Sequence, residues 1–123
     1  MSQEPLVSIV DDDAGVRSSL DGLVRSLGYR VALFDSAEAF LSSEARDGSH
    51  CVVSDVQMPG GMSGIDLLRR MHDAECAVPV ILISAFTTDA LREQALAAGA
   101  YCTLKKPFDG EDLVTCIERA LAA

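Results

Sequence analysis

Leu6-Val7-Ser8-Ile9-Val10-Asp11-Asp12-Asp13 is the stretch whose reading decides the fold. Five largely aliphatic residues stop abruptly at three acids, the pattern of a short strand buried on both faces and ending at a polar edge. Beyond it Val16, Leu20, Leu23, Val24 and Leu27 recur at helical spacing, with Asp13 placed to cap the helix start and Gly28 to stop its end. One strand followed by one amphipathic helix is therefore the unit to look for in the rest of the chain.

The unit repeats. Apolar runs at Arg30 to Phe34, Cys51 to Ser54, Val80 to Ile83 and Tyr101 to Leu104 predict four more strands. Ser36 can cap a short second helix carrying Phe40 and Leu41, and Ser63 with Asp66 forms a capping-box signature ahead of Leu67, Leu68 and Met71. The fourth predicted helix, Thr88 to Ala98, offers only Leu91, Ala95 and Ala98 as an apolar stripe, so it should dock lightly. A last helix starts near Asp109, with Asp112 three residues on, and buries Leu113, Ile117 and Leu121. Five βα units with right-handed crossovers give an α/β fold, a doubly wound parallel five-stranded sheet of flavodoxin-like order 2-1-3-4-5.

Length and charge narrow the function. The 123 residues suit one domain, and no repeat or linker divides them. A net charge of -9 disfavours direct binding to nucleic acid or an anionic membrane, because both need clustered Lys and Arg. Neither a signal peptide nor a membrane span is visible, so a cytoplasmic location is expected. Cys51, Cys76, Cys102 and Cys116 form no C-x-x-C pair and are expected to be buried free thiols. His50 and His72 lack a second ligand at metal spacing and are expected to be solvated or locally bonded.

In the 2-1-3-4-5 order, ligands bind at the carboxyl edge between strands one and three, where the order reverses. Asp11 and Asp12 end the first strand there and Asp55 ends the third. Asp13 suffices to cap the helix, so the other two acids need another reason. Carboxylates crowded this closely call for a cation, and a hard, oxygen-seeking ion such as magnesium suits them. Ser84 follows strand four and Lys105-Lys106-Pro107-Phe108 follows strand five, bringing a hydroxyl and ammonium groups to the same edge. Together these groups can move a phosphoryl group to a carboxylate: Asp55 as nucleophile, metal and lysine to neutralise charge, and the hydroxyl to bond a phosphate oxygen.

The segments Ile9-Val10-Asp11-Asp12-Asp13, Ser54-Asp55-Val56-Gln57-Met58-Pro59-Gly60, Ile83-Ser84-Ala85 and Lys106-Pro107-Phe108 resemble, in order and spacing, the signature of two-component response-regulator receivers. The likeness covers nearly the whole chain, which is read as one receiver domain over residues 1–123. It is strongest to the FixJ-type subgroup through Leu27-Gly28-Tyr29, Phe34-Asp35-Ser36-Ala37-Glu38 and Met62-Ser63-Gly64.

The resemblance implies phosphorylation of Asp55 by a sensor histidine kinase. It implies magnesium held by Asp12, Asp55 and the Gln57 backbone carbonyl, with Asp11 assisting largely through water. Ser84 and Lys106 would contact phosphoryl oxygens, and the bond before Pro107 is often cis in such proteins. Kinase docking would use exposed positions of the first helix such as Arg17 and Ser18. The surface of the fourth helix, fifth strand and last helix would carry the signal to a downstream output, transcription above all. Partners implied are a helix-turn-helix DNA-binding output domain, linked or separate, and a homodimer formed on phosphorylation. Gln57 and Phe86 occupy positions that influence dephosphorylation rate. The domain would act as a phosphoacceptor taking part in its own phosphorylation and dephosphorylation rather than as an enzyme.

One departure concerns the switch: Thr103 stands where many receivers carry an inward-swinging aromatic, and strand alternation leaves Tyr101 as a substitute on the same face. The chief alternative is a small haloacid-dehalogenase-like phosphatase, whose nucleophile motif Asp11-x-Asp13 imitates. A flavin binder is disfavoured because an acidic loop would repel the cofactor's phosphate, and a non-phosphorylated interaction module because the site residues form a full set.

Overall fold

The first strand stops where Asp13 turns the chain. In the computed structural model, which describes residues 4–85 and 88–122, β1 runs over Leu6–Val10 and α1 over Ala14–Ser26. The Asp13 side chain accepts from the backbone N–H groups of Gly15 and Val16 at 2.8 and 3.1 Å, which settles two otherwise unpartnered donors of the first turn. At the other end Gly28 adopts φ 90°, a left-handed conformation that suits glycine and ends the helix.

The chain continues as β2 (Arg30–Phe34), α2 (Ala37–Leu41), α3 (Ala45–Gly48), β3 (Cys51–Asp55), α4 (Gly64–Asp73), β4 (Val80–Ser84), α5 (Asp89–Ala97), β5 (Cys102–Lys105) and α6 (Gly110–Ala122). All strand pairs are parallel and their order is β2-β1-β3-β4-β5, as expected. The sequence does not announce the single-turn α3, since four residues show no period. The fourth helix expected from the sequence is therefore α5.

Both faces of the sheet are covered, which is why the central strands read as unbroken apolar runs. Val7, Ile9, Val53, Ile81 and Ile83 pack against Leu20 and Val24 of α1 and Leu113 and Ile117 of α6. Val10, Val52 and Leu82 pack against Phe40 of α2 and Leu67, Leu68 and Met71 of α4. Ser63 and Asp66 form the expected capping box at the start of α4. In α5 only Ala95 is fully buried, and Leu96 is 52% exposed, so this helix has the slight anchorage that its sequence predicts.

Two expectations need correction. Tyr101 precedes β5 rather than opening it, and its N–H donates to Val80 O at the amino end of β4. It is 42% exposed at the edge of the sheet opposite Ser84, so it does not replace the aromatic missing at Thr103. The four cysteines are not all free: Cys102 of β5 and Cys116 of α6 are paired as a disulfide, their Cα atoms 6.6 Å apart. That separation lies within the span a disulfide bridges, and it arises because α6 folds back over β5. Cys51 and Cys76 are free, and burial pushes the Cys51 thiol up to about 12. His50 is locally bonded, its Nδ1 accepting from Leu6 N–H at 3.0 Å. Among the described residues no helix is long and apolar enough to cross a membrane.

Candidate phosphoacceptor site

Parallel strands deliver their carboxyl ends to one edge, and the candidate residues are found there. Asp11 directly follows β1, Asp55 and Ser84 end β3 and β4, and Lys106 directly follows β5. Asp11 is 2% exposed, Ser84 3% and Asp55 7%, whereas Asp12 faces solvent, so the crevice has a buried floor and an open acidic rim.

Asp11, Asp12 and Asp55 each bring a carboxylate oxygen within 4.8 Å of the others. Such crowding suits a divalent cation. Asp55 Oδ1 strengthens that fit: it is buried and has no hydrogen-bond partner among the described residues, a condition that an oxygen-seeking ion would relieve. The other oxygen, Oδ2, lies 3.4 Å from Lys106 Nζ, which also stands 3.3 Å from Asp11 Oδ2.

These contacts set the electrostatics. Burial, and then the neighbouring charge of Asp11, push the Asp55 carboxyl above its ordinary range, while the Lys106 ammonium and the Gln57 backbone N–H pull the other way. For Lys106, burial acts to lower the pKa, but the two carboxylates outweigh it and the ammonium holds its proton more tightly than usual. The site thus contains a buried carboxylate, Asp55, beside a fixed cation, Lys106.

Backbone ties hold these groups in register. The Lys106 N–H donates to Ser84 O at 2.8 Å, and the Lys106–Pro107 bond is cis as the resemblance implies. The Ser84 hydroxyl donates to Gln57 Oε1 at 2.8 Å. Lys105, the last residue of β5, is exposed. Phe86 lies outside the described residues.

The supporting roles of three residues are not visible in the sequence. Arg17, expected on a docking surface, is instead half-buried, and its guanidinium donates to Asp11 O at 2.6 Å, while Ser18 is exposed. Glu38 of α2 accepts from Met62 N–H at 3.2 Å and so braces the loop between β3 and α4. Gly64 lies so close to the Asp55–Val56 backbone that an added Cβ would stand 3.1 Å from Asp55 C. Glu38 and Gly64 belong to segments that resemble the FixJ type, but only their contacts show what they brace.

The description Response regulator receiver domain matches residues 7–118. The transcriptional regulatory protein FixJ of Bradyrhizobium diazoefficiens is 39% identical over 121 residues, covering 98% of this chain and 58% of that protein. The response regulator protein TmoT of Ectopseudomonas mendocina is 41% identical over 119 residues, covering 97% of this chain and 54% of that protein. The crystal structure of FixJ-N superposes with a TM-score of 0.86 at 35% identity, over 98% of this chain and 96% of that one. The chain spans little more than half the length of these two regulators. The phosphatase alternative has no support from these matches. With its sheet order, its strand-end residues and a family match over nearly its whole length, the chain belongs to the response regulator receiver domains.

Proposed function

We propose that this receiver accepts a phosphoryl group on Asp55, and the observation that carries the reading is the convergence of the Asp11, Asp12 and Asp55 oxygens opposite Lys106. An Asp55 oxygen attacks phosphorus, an O–P bond forms, and the bond from phosphorus to the donor breaks. For a phosphohistidine on a sensor kinase the leaving group is the imidazole nitrogen. Lys106 neutralises charge on the transferring oxygens and Ser84 donates a hydrogen bond to one of them.

Magnesium would be held by Asp12, Asp55 and the Gln57 backbone carbonyl, with Asp11 largely through water, and would supply positive charge to the carboxylates and phosphoryl oxygens. Asp11 and Asp13 are already committed to local backbone contacts: Asp11 Oδ1 accepts from Asp13 N–H at 2.9 Å and Asp13 caps α1. Asp12, exposed on the rim, is the acid best placed for a direct contact.

Phosphorylation would be read out on the surface of α5, β5 and α6. Support comes from the slight anchorage of α5 and from the backbone bond that ties Lys106 to Ser84. Residues 1–123 act as one receiver domain in the cytoplasm, not as an enzyme on other substrates. Its output is transcription, through a helix-turn-helix DNA-binding domain and a phosphorylation-dependent homodimer, in keeping with relatives described as transcriptional regulators.

Intact-mass measurement after incubation with acetyl phosphate tests the central claim. Wild type should gain one phosphoryl group only with magnesium present, and Asp55→Asn should gain none. Uptake by the variant, or its absence in wild type, refutes it.

A further inference from the structure

We propose that the Gln57 side chain is a latch on Ser84 that the phosphoryl group must open, an inference that rests on the Asp55 reading above. Ser84 is 3% exposed at the end of β4, and its hydroxyl donates to Gln57 Oε1 at 2.8 Å. Gln57 lies two residues beyond Asp55, on the loop that follows β3. The amide therefore ties the end of β4 to the loop after β3 in the unphosphorylated protein.

A hydroxyl has a single hydrogen to donate. While that hydrogen points at Gln57, it cannot also bond a phosphoryl oxygen on Asp55. Phosphorylation exchanges one acceptor for the other, and the gain from the new, charged acceptor is reduced by the loss of the old one. Because the Lys106 N–H is bonded to Ser84 O, movement at Ser84 is passed to the start of the loop after β5. Gln57 is thus a positioning residue that sets the threshold for switching by holding the unswitched arrangement.

The latch is tested by titrating beryllofluoride, a phosphoryl mimic, at saturating magnesium, with bound ¹⁹F NMR signals as the readout because the chain has no Trp. Gln57→Met keeps the side-chain length and removes the acceptor; it should bind about fivefold more tightly, the worth of one neutral hydrogen bond. Gln57→Ala, as a second variant, should shift in the same direction. In a Ser84→Ala background, Gln57→Met should change nothing, because the hydroxyl on which it acts is gone.

Equal or weaker binding by both Gln57 variants overturns the latch, since weaker binding would mean that the amide donates to Ser84 and assists it. Equal tightening in the Ser84→Ala background also overturns it. Failure of wild type to bind beryllofluoride overturns the Asp55 reading itself, and the latch with it.

Discussion

The Lys106 ammonium spans the intervening strand β4 to stand 3.4 Å from the Asp55 carboxylate. Two residues far apart in the chain thereby become one electrostatic unit, and Asp11 Oδ2, 3.3 Å from the same ammonium, is its third member. The raised pKa of Lys106 fixes when the unit exists. Its stabilising contribution is fully present below the ordinary lysine pKa and is lost only as pH rises through the higher folded value. The ammonium is therefore charged at neutral pH.

Replacing Lys106 by Met should therefore slow phosphoryl uptake while leaving Asp55 in place. Loss of one preorganised charge-stabilising donor costs about 10²-fold in rate. A time course of intact mass with acetyl phosphate and magnesium measures it. Uptake within about twofold of wild type would remove Lys106 from the site, since that is far short of the cost expected for such a donor.

Asp55 carries the opposite sign. Its pKa is raised on folding, so its contribution is favourable below the ordinary carboxylate pKa and is lost as pH rises through the folded value. Above that folded value, without metal, the ionised carboxylate is a net liability. Asp55→Asn should stabilise the metal-free protein by about 1 kcal/mol, read from urea unfolding in the presence of a chelator. A destabilised variant would mean that attraction to Lys106 outweighs burial and Asp11.

A cation at the three carboxylates should convert that liability into a gain. Magnesium at about ten times its dissociation constant should stabilise wild type by about 1.4 kcal/mol. Protons compete for Asp55 as pH falls through its raised pKa, so the magnesium-induced rise in Tm should shrink as pH is lowered through that value. Thermal melts with and without magnesium across an acid-to-neutral pH series provide the measurement. A pH-independent rise would place the ion elsewhere.

The fold was legible because each level of the sequence agreed with the next. The bounds of β1 and β2 match their apolar runs, and the helix starts at Asp13, Ser36 and Ser63 are all capped by the side chains expected. Given the strand order, convergence of Asp11, Asp55, Ser84 and Lys106 follows from parallel topology alone. Contacts that depend on rotamers and loop paths do not follow. Nothing in the spacing of Arg17 says that it turns back to Asp11 O, or that Gln57 bonds Ser84. The Cys102–Cys116 pair is hidden for the same reason, because it depends on how α6 crosses β5. Tyr101 looks like a strand residue by composition, but the backbone enters β5 only at Cys102.

Gly64 offers the sharpest test that backbone packing beneath Asp55 matters. It opens α4, its N–H donates to Val56 O at 3.0 Å, and a Cβ there would stand 3.1 Å from both Asp55 C and Val56 Cα. Backbone cannot swing aside as a long side chain can, so Gly64→Ala must displace the peptide that carries Asp55. It should cost about 1–3 kcal/mol of stability, the usual range for overpacking. It should also slow phosphoryl uptake at temperatures where the variant is fully folded. Gly22, exposed within α1, provides the contrast, because a Cβ added there would meet no atom within 4 Å. There Ala should stabilise by up to about 1 kcal/mol through helix propensity and leave uptake unchanged. Urea unfolding and acetyl phosphate time courses on the two variants decide the matter: similar behaviour at both positions would show that the close approach of Gly64 to the Asp55 backbone has no part in holding the site.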